Sequence, residues 1–180
     1  NKLRRLINAE IRQAKAGKPA WIDIKINNLS DQDLAKLLYK ASNAGVKIRI
    51  IARSMFSLVP GIEKFSENIE AISIVDRFLE HSRFFIFCNG GDPKYFISSG
   101  DWLPRNFDRR VEVAAPIYDP QLGQQLRDCF DLQWKDNCKA RVWDAKMKNQ
   151  FRKRTKKQPI IRSQMALIDL LQNTIHPIDS

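Results

Sequence analysis

The chain has 180 residues, 43% of them apolar, which is enough for one domain with a real core and too apolar for a disordered segment. Lys and Arg outnumber Asp and Glu by 31 to 20, for a formal charge of +11, so the expected partners are polyanions: nucleic acid, anionic lipid or phosphorylated compounds. Cys88, Cys129 and Cys138 show no CxxC spacing, which argues against a zinc site or a disulfide framework and fits a reducing cytoplasm.

No apolar run reaches the ~20 residues that span a bilayer. The chain begins without Met, inside an amphipathic helix (Leu3, Leu6, Ile7, Ile11, Ala14) that ends near Gly17, and it reads as a piece of a longer protein. Trp21 to Ile26 alternates apolar and polar residues and predicts a strand. Ser30 is the expected N-cap of a helix over 31–43, which carries Leu34, Leu37, Leu38 and Ala41 on one face and closes at Gly45. Val46 to Ala52 is the next strand, and this β–α–β order implies a right-handed crossover in a parallel sheet.

A loop with Pro60-Gly61 and a short helix over 62–68 leads to a strand at 72–75. Strands at 84–88 and 95–99 flank Asn89-Gly90-Gly91-Asp92-Pro93, a hairpin turn. Another strand covers 111–117, and Pro120 opens a helix to Trp134. Between Arg141 and Arg162 stand nine basic residues and one acidic one, including RKRTKK at 152–157. A last helix, 163–174, presents Met165, Ile168, Leu171 and Ile175 on one face.

His81 stands in DRFLEHSRFFIF, between charges and just ahead of an apolar strand. Arg53 ends a strand at its C-terminal edge, where open α/β sheets bind ligands. Ser98, Ser99 and Gly100 end another, followed by Arg105, Arg109 and Arg110 in one short loop. Hydroxyls, guanidiniums and a histidine suit phosphoryl groups, since an arginine fork pairs two phosphate oxygens and stabilises charge building on them. Each has a plainer reading. A lone histidine at a strand entrance is commonly a hydrogen-bonded structural residue, Arg53 an ordinary salt-bridging side chain, and an arginine-rich loop a solvated face. Asn89-Gly90-Gly91 is only a turn, because no GxxxxGK exists to form a P-loop. Composition leaves RKRTKK open between an inert surface, a nucleic-acid patch and a phosphate-chain contact.

His81-Ser82-Arg83, followed by ISSGDW at 97–102, resembles a variant of the HxK…GSxN arrangement of the phospholipase D superfamily, with Arg83 in place of the lysine and Cys88 and Asn89 near the place of the missing aspartate. EHSRFFIFCNGG, YFISSGDWLPRNFDRRVEVAAPI, VKIRIIARSMFSLVPGI, LYKASNAGVKI and IRSQMAL together resemble the C-terminal half of the long-type bacterial polyphosphate kinases, nearly end to end. The resemblance implies a single three-layer α/β/α domain over 1–180 with a mixed, mostly parallel sheet, the segment 141–162 and the helix 163–175 included. It implies transfer of the terminal phosphate of ATP, reversibly, to inorganic polyphosphate through a phosphohistidine formed on a preceding domain, with Mg2+ held mainly outside this chain.

On that resemblance His81 and Arg110 are catalytic, and Arg53, His81, Ser98, Ser99, Arg105 and Arg109 bind ATP or phosphate. Arg152, Lys153 and Arg154 are candidates for contact with the polymer, and no residue of this chain is expected to ligate metal. Arg53-Ser54-Met55-Phe56 stands where the family has Arg-Gly-x-Cys. Glu80, if it reached the His81 ring, would orient it and favour its charged form. The implied partners are ATP or ADP, polyphosphate, the preceding domain and a further copy of the protein, without a specific nucleic acid. The implied location is the cytoplasm or, by peripheral attachment, the membrane surface. Two other readings compete: a basic nucleic-acid-binding module, against which no nucleic-acid motif is found, and a phospholipase-D-like phosphodiesterase, against which stands the missing lysine.

Overall fold

The computed structural model describes residues 2–104 and 112–174. One sheet of 8 strands runs through it in the order β6-β5-β4-β1-β2-β3-β7-β8. The strands are β1 (Trp21–Ile26), β2 (Lys47–Ala52), β3 (Ile69–Ile74), β4 (Phe84–Phe87), β5 (Lys94–Ser98), β6 (Ala114–Ile117), β7 (Ala140–Trp143) and β8 (Gln150–Phe151). Helices α1 (Lys2–Lys15) and α2 (Gln32–Asn43) cover one face. Helix α3 (Pro120–Trp134) covers the other, with α4 (Ser163–Thr174) packed beside it. The three layers and the mixed sheet are as expected.

The sheet is not mostly parallel. Parallel pairing is confined to β1 with β2 and β2 with β3, and the remaining pairs are antiparallel. The connections through α2 and through 53–68 return the chain to the same end of the sheet, so the strands they join lie parallel. The short turn at 89–93 must return it antiparallel, because a parallel partner needs a crossover of a dozen residues or more.

Strand β1 explains how the site is mounted. Ile22, Ile24 and Ile26 enter the larger core beneath α1 and α2. Asp23 and Lys25, which the alternation marks as the outward face, are each only 1% exposed. The period-2 pattern therefore separates an apolar face from a charged one, both covered, as befits a central strand. Buried charges of this kind persist only with partners.

Three local expectations are corrected. Asp31, not Ser30, caps α2: its carboxylate accepts from the Leu34 amide at 2.8 Å, and its charge suits the positive end of the helix. Residues 63–68 form turns rather than a helix. Lys64 has φ 59°, a left-handed backbone that a right-handed helix cannot contain. Finally, the basic segment holds β7 and β8, so it begins as part of the sheet, with Ala71 to Ile74 paired to Trp143 to Ala140.

Candidate functional site

The C-terminal ends of β1 and β2 open onto a cluster of charge. Arg53 follows β2 directly. Its amide donates to the Ile26 carbonyl (3.2 Å), and its own carbonyl accepts from Ser73 Oγ (3.1 Å), so three adjacent strands fix its backbone. Its Nη1 is buried and has no hydrogen-bond partner among the described residues. Lys25, the last polar residue of β1, lies within electrostatic reach of Arg53. Burial holds its ammonium below the usual lysine range, and the Glu80 carboxylate works against that shift. Lys25 Nζ stands 3.6 Å from Glu80 Oε2.

Glu80 does not orient His81. Its other oxygen accepts from Gln164 Nε2 at 2.8 Å, so the carboxylate points inward to β1 and α4. The exposed imidazole instead meets Arg83, whose Nη2 lies 3.2 Å from His81 Nε2. A guanidinium only donates, so Nε2 is the acceptor in this contact. His81 thus sits at the rim of the cluster, on the segment leading into β4.

Arg83 is held by Asp101 and Asn27. Asp101 Oδ1 accepts from Arg83 Nε (2.8 Å) and from the Asn27 amide (3.0 Å), while Oδ2 accepts from Asn28 Nδ2 (2.7 Å). Burial works to raise the Asp101 carboxyl, but the bonds from Arg83 and Asn28 outweigh it and hold the group below the usual range. The Asn27 amide takes the one orientation that suits its neighbours: its nitrogen donates to the Glu80 carbonyl (2.6 Å), and its oxygen accepts from Arg83 Nε and Nη2 (3.0 Å each). The segment carrying Asp101 is strapped to 28–31 by the Trp102 backbone.

Other candidates lie elsewhere. Ser98 Oγ closes a turn on the Gly100 amide and carbonyl (3.2 Å each) and lines a cavity of about 340 Å3 under α1, with Phe85, Phe87 and Phe96. Ser99 Oγ donates to Glu112 Oε2 (2.5 Å) and accepts from the Val113 amide (3.1 Å). Neither hydroxyl is bonded to the Lys25–Arg53 cluster, although the Ser98 amide donates to the Arg83 carbonyl at 2.9 Å. Arg105, Arg109 and Arg110 lie outside the described residues. Arg152 donates to the Trp134 carbonyl and lies 5.1 Å from that ring's centroid. Lys153 and Arg154 are exposed.

Lys25, Asn27, Asp101 and Gln164 were not singled out from the sequence. A lysine between isoleucines was the available signal for the first, and it reads equally well as an outward strand position. The others are recognised only by what they touch.

The family model for polyphosphate kinase C-terminal domain 2 matches residues 1–164. A polyphosphate kinase of Vibrio parahaemolyticus is 53% identical over 169 residues, which cover 94% of this chain and 24% of that protein. The crystal structure of polyphosphate kinase from Porphyromonas gingivalis matches with a TM-score of 0.91 and 39% identity, over 94% of this chain and 26% of that one. A phospholipase D family member, Nuc from Salmonella typhimurium, matches with a TM-score of 0.53 at 14% identity, over 74% of this chain and 88% of that one, a likeness of fold alone. The chain spans about a quarter of the length of the curated relatives it matches. With a family model along most of its length and a relative more than half identical, the chain belongs to the polyphosphate kinase family, as its C-terminal domain.

Proposed function

We propose that residues 1–180 act as one catalytic unit of a polyphosphate kinase, forming one wall of a site that moves the terminal phosphate of ATP reversibly to polyphosphate. The observation that carries this reading is Arg53, a guanidinium with a buried, unpartnered nitrogen beside a second buried cation. An unmade buried hydrogen bond costs about 1–3 kcal/mol, and a phosphate oxygen would supply the missing acceptor. Arg53 then binds and orients the phosphate chain, and His81 at the rim donates to a phosphate oxygen or carries a proton.

In this reading the nucleophilic histidine, which becomes the phosphohistidine, stands on the preceding domain and faces His81 across the cleft. Mg2+ does not fit the cluster, whose inner groups are the cations Lys25, Arg53 and Arg83. Among the described residues no three His, Cys, Asp or Glu side chains gather to hold a metal. A magnesium ion travelling with ATP would lie against the other half of the site. Lys153 and Arg154, exposed beyond β8, are proposed to touch the polymer.

The test uses the full-length protein. His81→Ala should lower turnover by about 10²–10⁴-fold, while γ-labelled ATP, alkaline quenching and peptide mapping should still find the label on the preceding domain. Label on His81 itself, or undiminished turnover, would remove the role assigned here.

A further inference from the structure

The cluster contains three cations, Lys25, Arg53 and Arg83, and two carboxylates, Glu80 and Asp101. Asp101 is committed to Arg83. Glu80 neighbours His81 in sequence and pairs with Lys25, which itself lies within electrostatic reach of Arg53. An ionised carboxylate placed on Arg53 would occupy the fork that a phosphate needs.

Two elements hold Glu80 elsewhere. Lys25 on β1 takes Oε2, and Gln164 on α4 takes Oε1. Gln164 is itself fixed: its Oε1 accepts from the Phe78 amide and its Nε2 donates to the Phe78 carbonyl, both at 2.8 Å. At 4% exposure, with three hydrogen bonds, the amide has no other stable orientation. A glutamine that pairs with a backbone amide and carbonyl sets the position of a loop, and this loop carries His81 three residues on.

We infer that Lys25 and Gln164 are positioning residues that keep the Glu80 carboxylate away from Arg53, so that the Arg53 fork stays open for the phosphate chain of ATP. The inference rests on the reading of Arg53 given above. Arg53 accordingly makes no ion pair among the described residues, although a glutamate stands one cation away. The arrangement is directional. Losing Lys25 should do harm through Glu80, and neutralising Glu80 should undo that harm.

The experiment measures KM and kcat for ATP in the full-length enzyme, with dissociation of a non-hydrolysable ATP analogue as the binding probe. Lys25→Met should raise KM and the analogue's Kd by about tenfold, with a smaller fall in kcat, as expected when an attracted charge is neutralised by a competitor. Adding Glu80→Gln should restore both to within about twofold of wild type, because the neutral amide cannot quench a guanidinium. A residue that merely filled space would gain nothing from that second change. If Lys25→Met does not fold, Gln164→Met with and without Glu80→Gln provides the same contrast. A double variant as weak as its parent, or a single variant with wild-type KM, overturns the inference. Arg53→Ala, run alongside, separates the two claims. If ATP binding survives it, the site reading itself fails; if only the rescue is missing, the positioning role alone fails.

Discussion

The same two strands carry charge at both ends, and the ends differ in how that charge is balanced. Toward the start of β1 and β2, Arg49 forks Asp23 with two bonds of 2.7 Å and reaches Asp131 at 3.0 Å, while Arg127 joins Asp23 from α3. The guanidiniums lie over aromatic rings, Arg49 5.0 Å from Phe130 and Arg127 4.6 Å from Trp21. Two cations meet two anions: Arg127 Nη1 pairs with Asp23 and lies 3.5 Å from Asp131, although its Nη2 lacks a hydrogen bond. At the other end, among the described residues, three cations meet two anions, and Arg53 has no ion-pair partner. Both clusters are arginine-rich and built around buried charges, Asp23 in one and Lys25 and Asp101 in the other. The difference lies in neutrality: the balanced cluster fastens elements together, whereas the unbalanced one is proposed to take a phosphate.

The comparison can be broken most forcefully at its balanced end. Asp23→Ala leaves Arg49 and Arg127 with only Asp131 to share, and it should cost about 3–5 kcal/mol of stability in denaturant unfolding. A loss below about 1 kcal/mol would mean that this end is not the fastening it is taken for.

Asp136 offers a second saturated charge, with a pH signature. Its Oδ1 accepts from the amides of Cys138, Lys139 and Ala140, and its Oδ2 from the amide and hydroxyl of Ser163, so it ties the end of α3 to β7 and α4. Burial pushes its carboxyl up, but the bonds from Ser163, Lys139 and Ala140 outweigh this and hold it below the usual range. A carboxyl depressed in the folded state stabilises fully above its unfolded value, near pH 4, and loses that contribution as pH falls through its folded value. Asp136→Asn should therefore cost about 1–3 kcal/mol near neutral pH. Its deficit against wild type should shrink as pH drops below roughly 4. A deficit independent of pH would show that the charge is not what matters.

The smallest effect belongs to the exposed cations. Lys153→Gln with Arg154→Gln should weaken polyphosphate binding and lower its salt slope by about two, as counterion release requires, with little change for ATP. Arg152→Gln should instead lower stability, because its guanidinium lies under Trp134. Equal weakening of ATP and polymer by the first pair would assign those cations to the fold.

Much of the architecture was legible because it is local. Helix 163–174, the β4–β5 turn and the Pro120 helix start all follow from capping, periodicity and turn residues. The errors have a common origin in charge that is satisfied at a distance. Asp23 and Lys25 read as an exposed face because their partners, Arg127 and Glu80, lie far along the chain. The β7–β8 pair was hidden by the same basic composition that suggested a surface or a polyanion contact, although Arg141-Val142-Trp143 alternates. Ser30 and Asp31 are near-equal caps, and only the backbone at Asp31 decides between them. In the site, Arg53 and His81 emerged from their strand positions and the family resemblance. Gln164 could not, since its role consists entirely of contacts with a loop some 80 residues earlier.

On the proposed reading Arg53, unpaired among the described residues, awaits a phosphate. The most direct measurement compares Arg53→Ala with wild type in the full-length protein for two quantities, unfolding free energy and affinity for ATP. Removing a buried donor without a partner should leave stability within about 1 kcal/mol of wild type or raise it, while ATP affinity falls at least about tenfold. Stability lost together with unchanged ATP affinity would contradict the account, for it would make Arg53 a fastening like Arg49.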